Sequence, residues 1–541
     1  MLGSRSTVLA LLVLLLACVG TSVVPAGTGA QEPYSPLVPR GNVRLGLLGQ
    51  YSSFSDLYEI GGLTGGPHRL GGLFSGPAGS RIFPFLAEPE AAVRAAIDDD
   101  YEMSLGTMSS VLEKSTAWVP VSVDVGVFDW LTVGAMVPLV QNETEFTTTF
   151  AADSASATAG FGPGLEDPAA VAGFLSGFQG SIGAYDAFRG EACAADPMSD
   201  ACRDATALLA DARSFHSLLS LMYGSVFAPL SWSGAGMALD ARLAAFSQAF
   251  EAAGVPGVVG LPLASALLTT EDVARLISEP GFGIESTHPL DQWRSLWRLG
   301  DIEVRADARV IETGEPDTPT QLTAGAGAMV RLPTGTQDDA ANFLDSGSGD
   351  RQMDVEGRVW MNGRWRGRVG LWADVRYGLQ MPGSTVRRVF DPAVALAPRI
   401  TQATLDWNPG DYQFMELSPW YRITDPLTLT AGYRFFRKGK DSFSVPAVVV
   451  VDEGTAAARV RQSDPAILVP GSGGSVGQAL LGMVYNRAAY VDEDGVAGAP
   501  LEIRVIYRQA VGGSGMMPVT RSLEVGFRLF VGVWGGGLGE A

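Results

Sequence analysis

The stretch Asp301-Ile302-Glu303-Val304-Arg305-Ala306-Asp307-Ala308-Arg309-Val310 puts a charge at every odd position and an apolar side chain at every even one. Side chains of a β-strand alternate between its two faces, so this is a strand with one charged face and one apolar face. Soluble sandwiches contain such strands too. The decision comes from recurrence: about twelve segments alternate this way, at 42–54, 102–128, 131–149, 299–312, 320–334, 351–362, 366–381, 403–423, 426–438, 475–490, 500–510 and 521–534.

One face of these segments suits lipid, for example Val119 to Val127, Leu322 to Leu332 and Val369 to Leu379 at alternate positions. The opposite face carries Asp124, Asp354, Glu356, Arg358, Asp374, Arg376, Arg434, Glu502, Arg504, Arg508, Glu524 and Arg528 in mid-strand. A basic residue facing lipid at the bilayer midplane costs about 2–4 kcal/mol, so these charges belong to a lumen. Trp118, Trp130, Trp365, Trp407, Trp420, Tyr421 and Trp534 stand near strand ends, where interfacial girdles are expected.

The connections give an independent reading. Short, turn-rich links (128–130, 313–319, Asn362-Gly363-Arg364, 424–426, 491–499) alternate with longer ones (55–101, 150–298, 335–350, 382–402, 439–474, 511–520). Outer-membrane barrels alternate tight periplasmic turns with external loops in this way. The expectation is an all-β fold: an antiparallel transmembrane β-barrel of about twelve strands (roughly ten to fourteen) with a largely α-helical insertion.

The insertion is where strand periodicity fails. Leu208, Leu209, Ala212, Phe215, Leu218, Leu219 and Met222 follow helical spacing. The organisation reads as a signal peptide at 1–30, a linker at 31–41, the first strands at 42–149, a helical insert at 150–298, the remaining strands at 299–534 and a tail at 535–541. The insert is expected on the external side, as a cap or as a lumenal plug.

Met1 to Ala30 has one charge, Arg5, an apolar run from Val8 to Leu16 and a small-residue end, which is the pattern of a secretory leader cut before Gln31. Leu15-Leu16-Ala17-Cys18 weakly resembles a lipoprotein box. Of the three cysteines, Cys193 and Cys202 are expected to form a disulfide in an oxidising compartment. Val525, Phe527, Leu529, Val531 and Trp534 read as the terminal-strand signal of an outer-membrane barrel, although a tail follows.

Composition excludes several function classes. A net charge of −20 argues against nucleic acid or anionic lipid as partner. No enzyme is expected. The three histidines, at 68, 216 and 288, fall outside the alternating segments, and the side chains of His216 and Ser217 diverge on a helix. No cofactor and no metal site is expected: Asp338, Asp339, Asp345 and Asp350, and Asp492-Glu493-Asp494, match no calcium-loop spacing and read as solvated loops.

What remains is the lumen. Asp301, Glu303, Arg305, Asp307 and Arg309, with Asp354, Glu356, Arg358, Asp374, Arg376, Arg434, Arg504 and Arg508, form either a polar conduit or a ladder of internal ion pairs. Balanced signs favour the ladder.

Gly327-Ala328-Met329-Val330-Arg331-Leu332-Pro333-Thr334-Gly335, followed by Asn342-Phe343-Leu344-Asp345 and Asp354-Val355-Glu356-Gly357, resembles bacterial outer-membrane barrels grouped as phenol meta-pathway transporters. So does the hairpin Val125 to Val140 with its Phe128-Asp129-Trp130 turn. The resemblance covers the barrel, leaves the insert aside and carries no functional residue. It implies an outer-membrane location and a narrow or gated uptake route for small, hydrophobic molecules. The alternative is a non-conducting barrel whose insert engages a partner. Expected partners are outer-membrane lipid, the barrel assembly machinery and a small-molecule solute, with no nucleic acid.

Overall fold

The computed structural model describes residues 35–533 apart from 60–65, 98–99, 259, 315–317, 447–463, 489 and 492–496. The leader, Cys18, Trp534, the tail and Asp492-Glu493-Asp494 lie outside the described residues.

Twelve antiparallel strands close on themselves: β1 (Asn42–Phe54), β2 (Ser104–Phe128), β3 (Leu131–Ala151), β4 (Glu303–Thr313), β5 (Gln321–Arg331), β6 (Asp354–Trp365), β7 (Val369–Gln380), β8 (Tyr412–Arg422), β9 (Leu427–Lys438), β10 (Gly474–Arg487), β11 (Leu501–Ser514) and β12 (Arg521–Gly532). Each pairs with its sequence neighbours, and β1 closes the ring against β12, Asn42 opposite Gly532 and Ser53 opposite Arg521. Closure satisfies every edge, which is what a sheet in lipid needs. Both the start of β1 and the end of β12 lie at the short-turn end.

The outer surface is apolar in mid-strand, with Val121, Val123, Val359, Val375, Met415, Leu417, Leu481 and Leu523 exposed. Two aromatic rims bound it. Phe128, Trp130, Trp365 and Tyr421 are exposed at the short-turn end, and Tyr51, Tyr377, Tyr433 and Tyr507 toward the other. Tyr377 pairs with Gln413, eight positions along β8 from Tyr421, or about 26 Å of strand. On strands tilted by about 40° this is about 20 Å of depth, comparable to the apolar band of about 25 Å in an outer-membrane barrel. The protein is an integral outer-membrane β-barrel.

Three sequence expectations need correction. Trp118, Trp407 and Trp420 are not girdle residues: Trp118 lines the lumen, Trp420 is buried and donates Nε1–H to Asn362, and Trp407 is buried beyond the barrel, donating to Asp441. Asn362-Gly363-Arg364 is strand, not turn. The turn comes at Arg366-Gly367, both at positive φ, because Asn362 and Arg364 are held inside the barrel. The expected strand 403–423 is two elements, the barrel strand β8 and a separate Gln402–Asn408 strand in a small external sheet, divided at Pro409-Gly410.

β2 and β3 are twice the length of the other strands. Their pairing continues from Ser115–Glu143 to Thr107–Ala151, past the point where β1 ends against Lys114. On the protruding part, the face that continues the lumenal one is apolar, carrying Met108, Leu112 and Phe146. Five helices pack there: α1 (Ala87–Ile97), α2 (Pro168–Ala195), α3 (Asp200–Met222), α4 (Gly234–Ala252) and α5 (Thr270–Ser278). Phe178, Leu209, Phe215, Leu219, Leu243, Phe246 and Phe250 join Val93 and the hairpin residues in one continuous core. Side-chain caps start the helices, Asp167, Ser199 and Ser233 each accepting from a first-turn N–H, and Thr269 with Asp272 forming a reciprocal box. α1 comes from the 55–101 connection, so the helical body is not confined to 150–298.

Cys193 and Cys202 are bonded across the α2–α3 turn. Replacing both by Ser is expected to lower the stability of the helical body by about 2–3 kcal/mol. The check is a lower melting temperature of the helical circular-dichroism signal with an unchanged barrel band shift on gels.

Candidate functional site: the lumen

Inward positions on ten of the twelve strands, all but β3 and β10, carry a ring of ion pairs. Asp124 on β2 sits between Arg44 on β1, 3.0 Å away, and Arg305 on β4, 2.7 Å away. Asp307 on β4 pairs with Arg358 on β6 at 3.4 Å, and Arg358 with Asp374 on β7 at 3.0 Å. Arg376 joins Asp374 at 2.6 Å and Glu356 at 3.6 Å, and Tyr412 donates its O–H to Glu356. Arg331 bridges Glu303 and Asp354, Arg434 meets Glu416, Glu524 takes both Arg504 and Arg508, and Arg528 meets Glu502. Inward glycines make room for these side chains: a Cβ on Gly134 would stand 2.0 Å from Asp124 Oδ1, and one on Gly327 2.4 Å from Asp307 Oδ1.

The residues read as lumenal are thus mostly together, with two differences. Asp301 precedes β4 and accepts N–H bonds from Gly335 and Asp350, pinning the 335–350 loop at the outer mouth. Arg309 lies beside a register shift near the short-turn end and pairs with Glu312 on its own strand. Arg44, Arg331 and Glu416 were not singled out from sequence. Each stands in an alternating run (Val43/Leu45, Val330/Leu332, Met415/Leu417), which is the signal that would have found them.

The ring does not fill the barrel. A cavity of about 450 Å³ lies inside it, lined by nine arginines but five carboxylates. Side-chain length explains the imbalance. Asp and Glu stop near the wall, whereas Arg reaches the axis. Arg305, Arg331, Arg376, Arg434, Arg504 and Arg528 keep 19–32 % of their side-chain surface open, against 0–9 % for their partners Asp124, Asp354, Asp374, Glu416, Glu524 and Glu502. Trp118, Met136, Trp372 and Ile506 supply apolar lining.

Two segments bound this space. From the short-turn end, residues 35–40 fold inside the barrel rather than forming a free linker. Arg44 donates to the carbonyls of Ser35 and Pro36 at 2.9 and 3.0 Å, Val38 is buried and its N–H meets Thr132 Oγ1 at 2.7 Å. The inward-facing Gly126 admits them, since a Cβ there would stand 2.1 Å from the Pro39 carbonyl oxygen. From the other end the 335–350 loop folds in. Thr144 donates to the Leu344 carbonyl, Asn142 to that of Gly347, and Lys114 to Ser346. A second cavity of about 410 Å³ lies between this loop and the wall, sharing Trp118, Met136, Glu303 and Arg331 with the first. The acidic residues of that loop are engaged: Asp338 with Arg387, and Asp345 with Arg298.

No residue of 151–298 lines either cavity among the described residues. His216 and Ser217 do not meet: His216 Nε2 contacts the Leu175 carbonyl and Ser217 donates to that of Arg213. His68 stands in a two-residue strand opposite Leu57, outside the barrel ring, and not in an irregular loop.

No family model matches the chain, and no curated relative does. Solved structures similar to it include an outer-membrane channel from Pseudomonas putida F1 (8 % identity, 94 % of this chain and 100 % of that one, TM-score 0.39). The translocator domain of the autotransporter NalP from Neisseria meningitidis has 8 % identity over 97 % of both chains and a TM-score of 0.27. The Ralstonia pickettii toluene transporter TbuX has 9 % identity over 94 % and 96 %, and a TM-score of 0.27. At these scores the similarities bear on no functional point.

Proposed function

We propose that the protein is an outer-membrane channel for small molecules, narrowed at its periplasmic mouth by residues 35–40 and on the outside by the 335–350 loop. The observation that carries this reading is the cavity inside the ring, bounded by two segments that hydrogen bonds, not barrel strands, hold in place. Ion pairs link neighbouring strands around the lumen and still leave solvent space between them. The helical body is read as a cap over the external mouth, packed on the lumenal face of the protruding hairpin.

Ser122 lines the cavity and its neighbour Val123 faces lipid, so the pair supplies a test. In planar bilayers the full chain is expected to conduct small ions. Ser122→Cys coupled to a bulky maleimide should lose most of that conductance, while Val123→Cys coupled to the same reagent keeps it. A modified Ser122→Cys barrel that conducts like the parent would sink the conduit and leave the non-conducting barrel as the better reading.

A further inference from the structure

We propose that the lumen holds a binding site for small organic anions, carboxylates with a compact apolar body. The inference rests on the conduit reading in that solute must reach the cavity, but not on passage through it.

The lumenal ladder is balanced in sign, yet its water-facing surface is not. Carboxylates sit at the wall, and the surface toward the axis is guanidinium from Arg305, Arg331, Arg376, Arg434, Arg504 and Arg528. Composition does not produce this, because the chain as a whole carries −20. Each guanidinium has five N–H donors, more than the one or two carboxylates met by Arg305, Arg331, Arg376 and Arg434 take up. They are also oriented in advance by their ion pairs, so little side-chain freedom is lost on meeting an anion. Rings of Arg are the ordinary means by which pores favour anions. Trp118, Trp372, Met136 and Ile506 line the same space, and a volume of about 450 Å³ admits a benzoate-sized molecule with water.

The test uses calorimetry on the folded full chain in detergent, titrated with sodium benzoate, benzyl alcohol and benzylamine. Benzoate should bind saturably and more weakly as NaCl rises. Benzyl alcohol should bind at least roughly tenfold more weakly, and benzylamine not at all. The variant R305Q/R376Q/R504Q removes three lumenal cations while leaving every carboxylate a donor: Asp124 keeps Arg44, Asp374 keeps Arg358, Glu356 keeps Tyr412, and Glu524 keeps Arg508. It should lose roughly tenfold in benzoate affinity with an unchanged barrel band shift. If it does not fold, the single Arg305→Gln variant is read instead, with a smaller loss. Benzoate binding no tighter than benzyl alcohol, or unaffected by the substitutions in a folded barrel, overturns the proposal. A barrel that binds benzoate but never conducts keeps the site and overturns the channel. One that conducts without anion preference does the reverse.

Discussion

Removing residues 32–40 is expected to raise single-channel conductance several-fold. Residues 35–40 fold in at the short-turn mouth and are held by few contacts beyond their own chain neighbours: two carbonyls on Arg44, one N–H on Thr132, the Arg40 N–H on Asp129, and the buried side chain of Val38. None of these belongs to the β-ladder that closes the barrel, so the deletion should leave folding intact. Arg44 keeps Asp124 as its partner. A second variant reaches the same state without shortening the chain. Gly126→Val places atoms where the carbonyls of Val38 and Pro39 now lie, 2.4 and 2.1 Å from a Cβ, and should push the segment out of the mouth. The two variants should raise conductance alike, and Gly126→Val combined with the deletion should add nothing. Unchanged conductance in both folded variants would show that these residues do not gate the barrel.

Much of the barrel was legible because lipid imposes a rule at every strand residue: apolar outward, polar inward, with no partner helix to blur the period. Met415-Glu416-Leu417 and Val525 to Phe530 obey it as clearly as Asp301 to Val310. The reading went astray where a local signal competed with a distant partner. Asn362-Gly363 is a strong turn dipeptide, yet Asn362 is claimed by Trp420, 58 positions away. Residues 35–40 have no period of their own, and what fixes them is a missing side chain at Gly126 and a hydroxyl at Thr132. The 335–350 loop looked like a solvated acidic loop, but Thr144, Asn142 and Lys114 draw it inward. Sign balance along a strand likewise could not show which charges face water. That depends on how far each side chain reaches toward the axis.

Asp124→Ala is expected to be the most damaging single substitution in the wall, costing about 3–5 kcal/mol. Its carboxylate is 2 % exposed and accepts from Arg44 Nε at 3.0 Å and from Arg305 Nη2 at 2.7 Å. Removing it leaves Arg44, itself 3 % exposed, as a buried cation with only the carbonyls of Ser35 and Pro36. Arg305→Gln should cost far less, because Asp124 keeps Arg44 and Arg305 is partly in water. The measurement is the urea midpoint of refolding into lipid vesicles, followed by the band shift of the folded barrel. An Asp124→Ala barrel as stable as the parent would show that the lumenal ladder fills space without bracing the wall. Arg44 also ties the two expectations together, since the same guanidinium holds Asp124 and the mouth segment. In barrels that do fold, Asp124→Ala should therefore loosen residues 35–40 and raise conductance. A double-mutant cycle with the 32–40 deletion should be non-additive, as it must be when two contacts share one side chain.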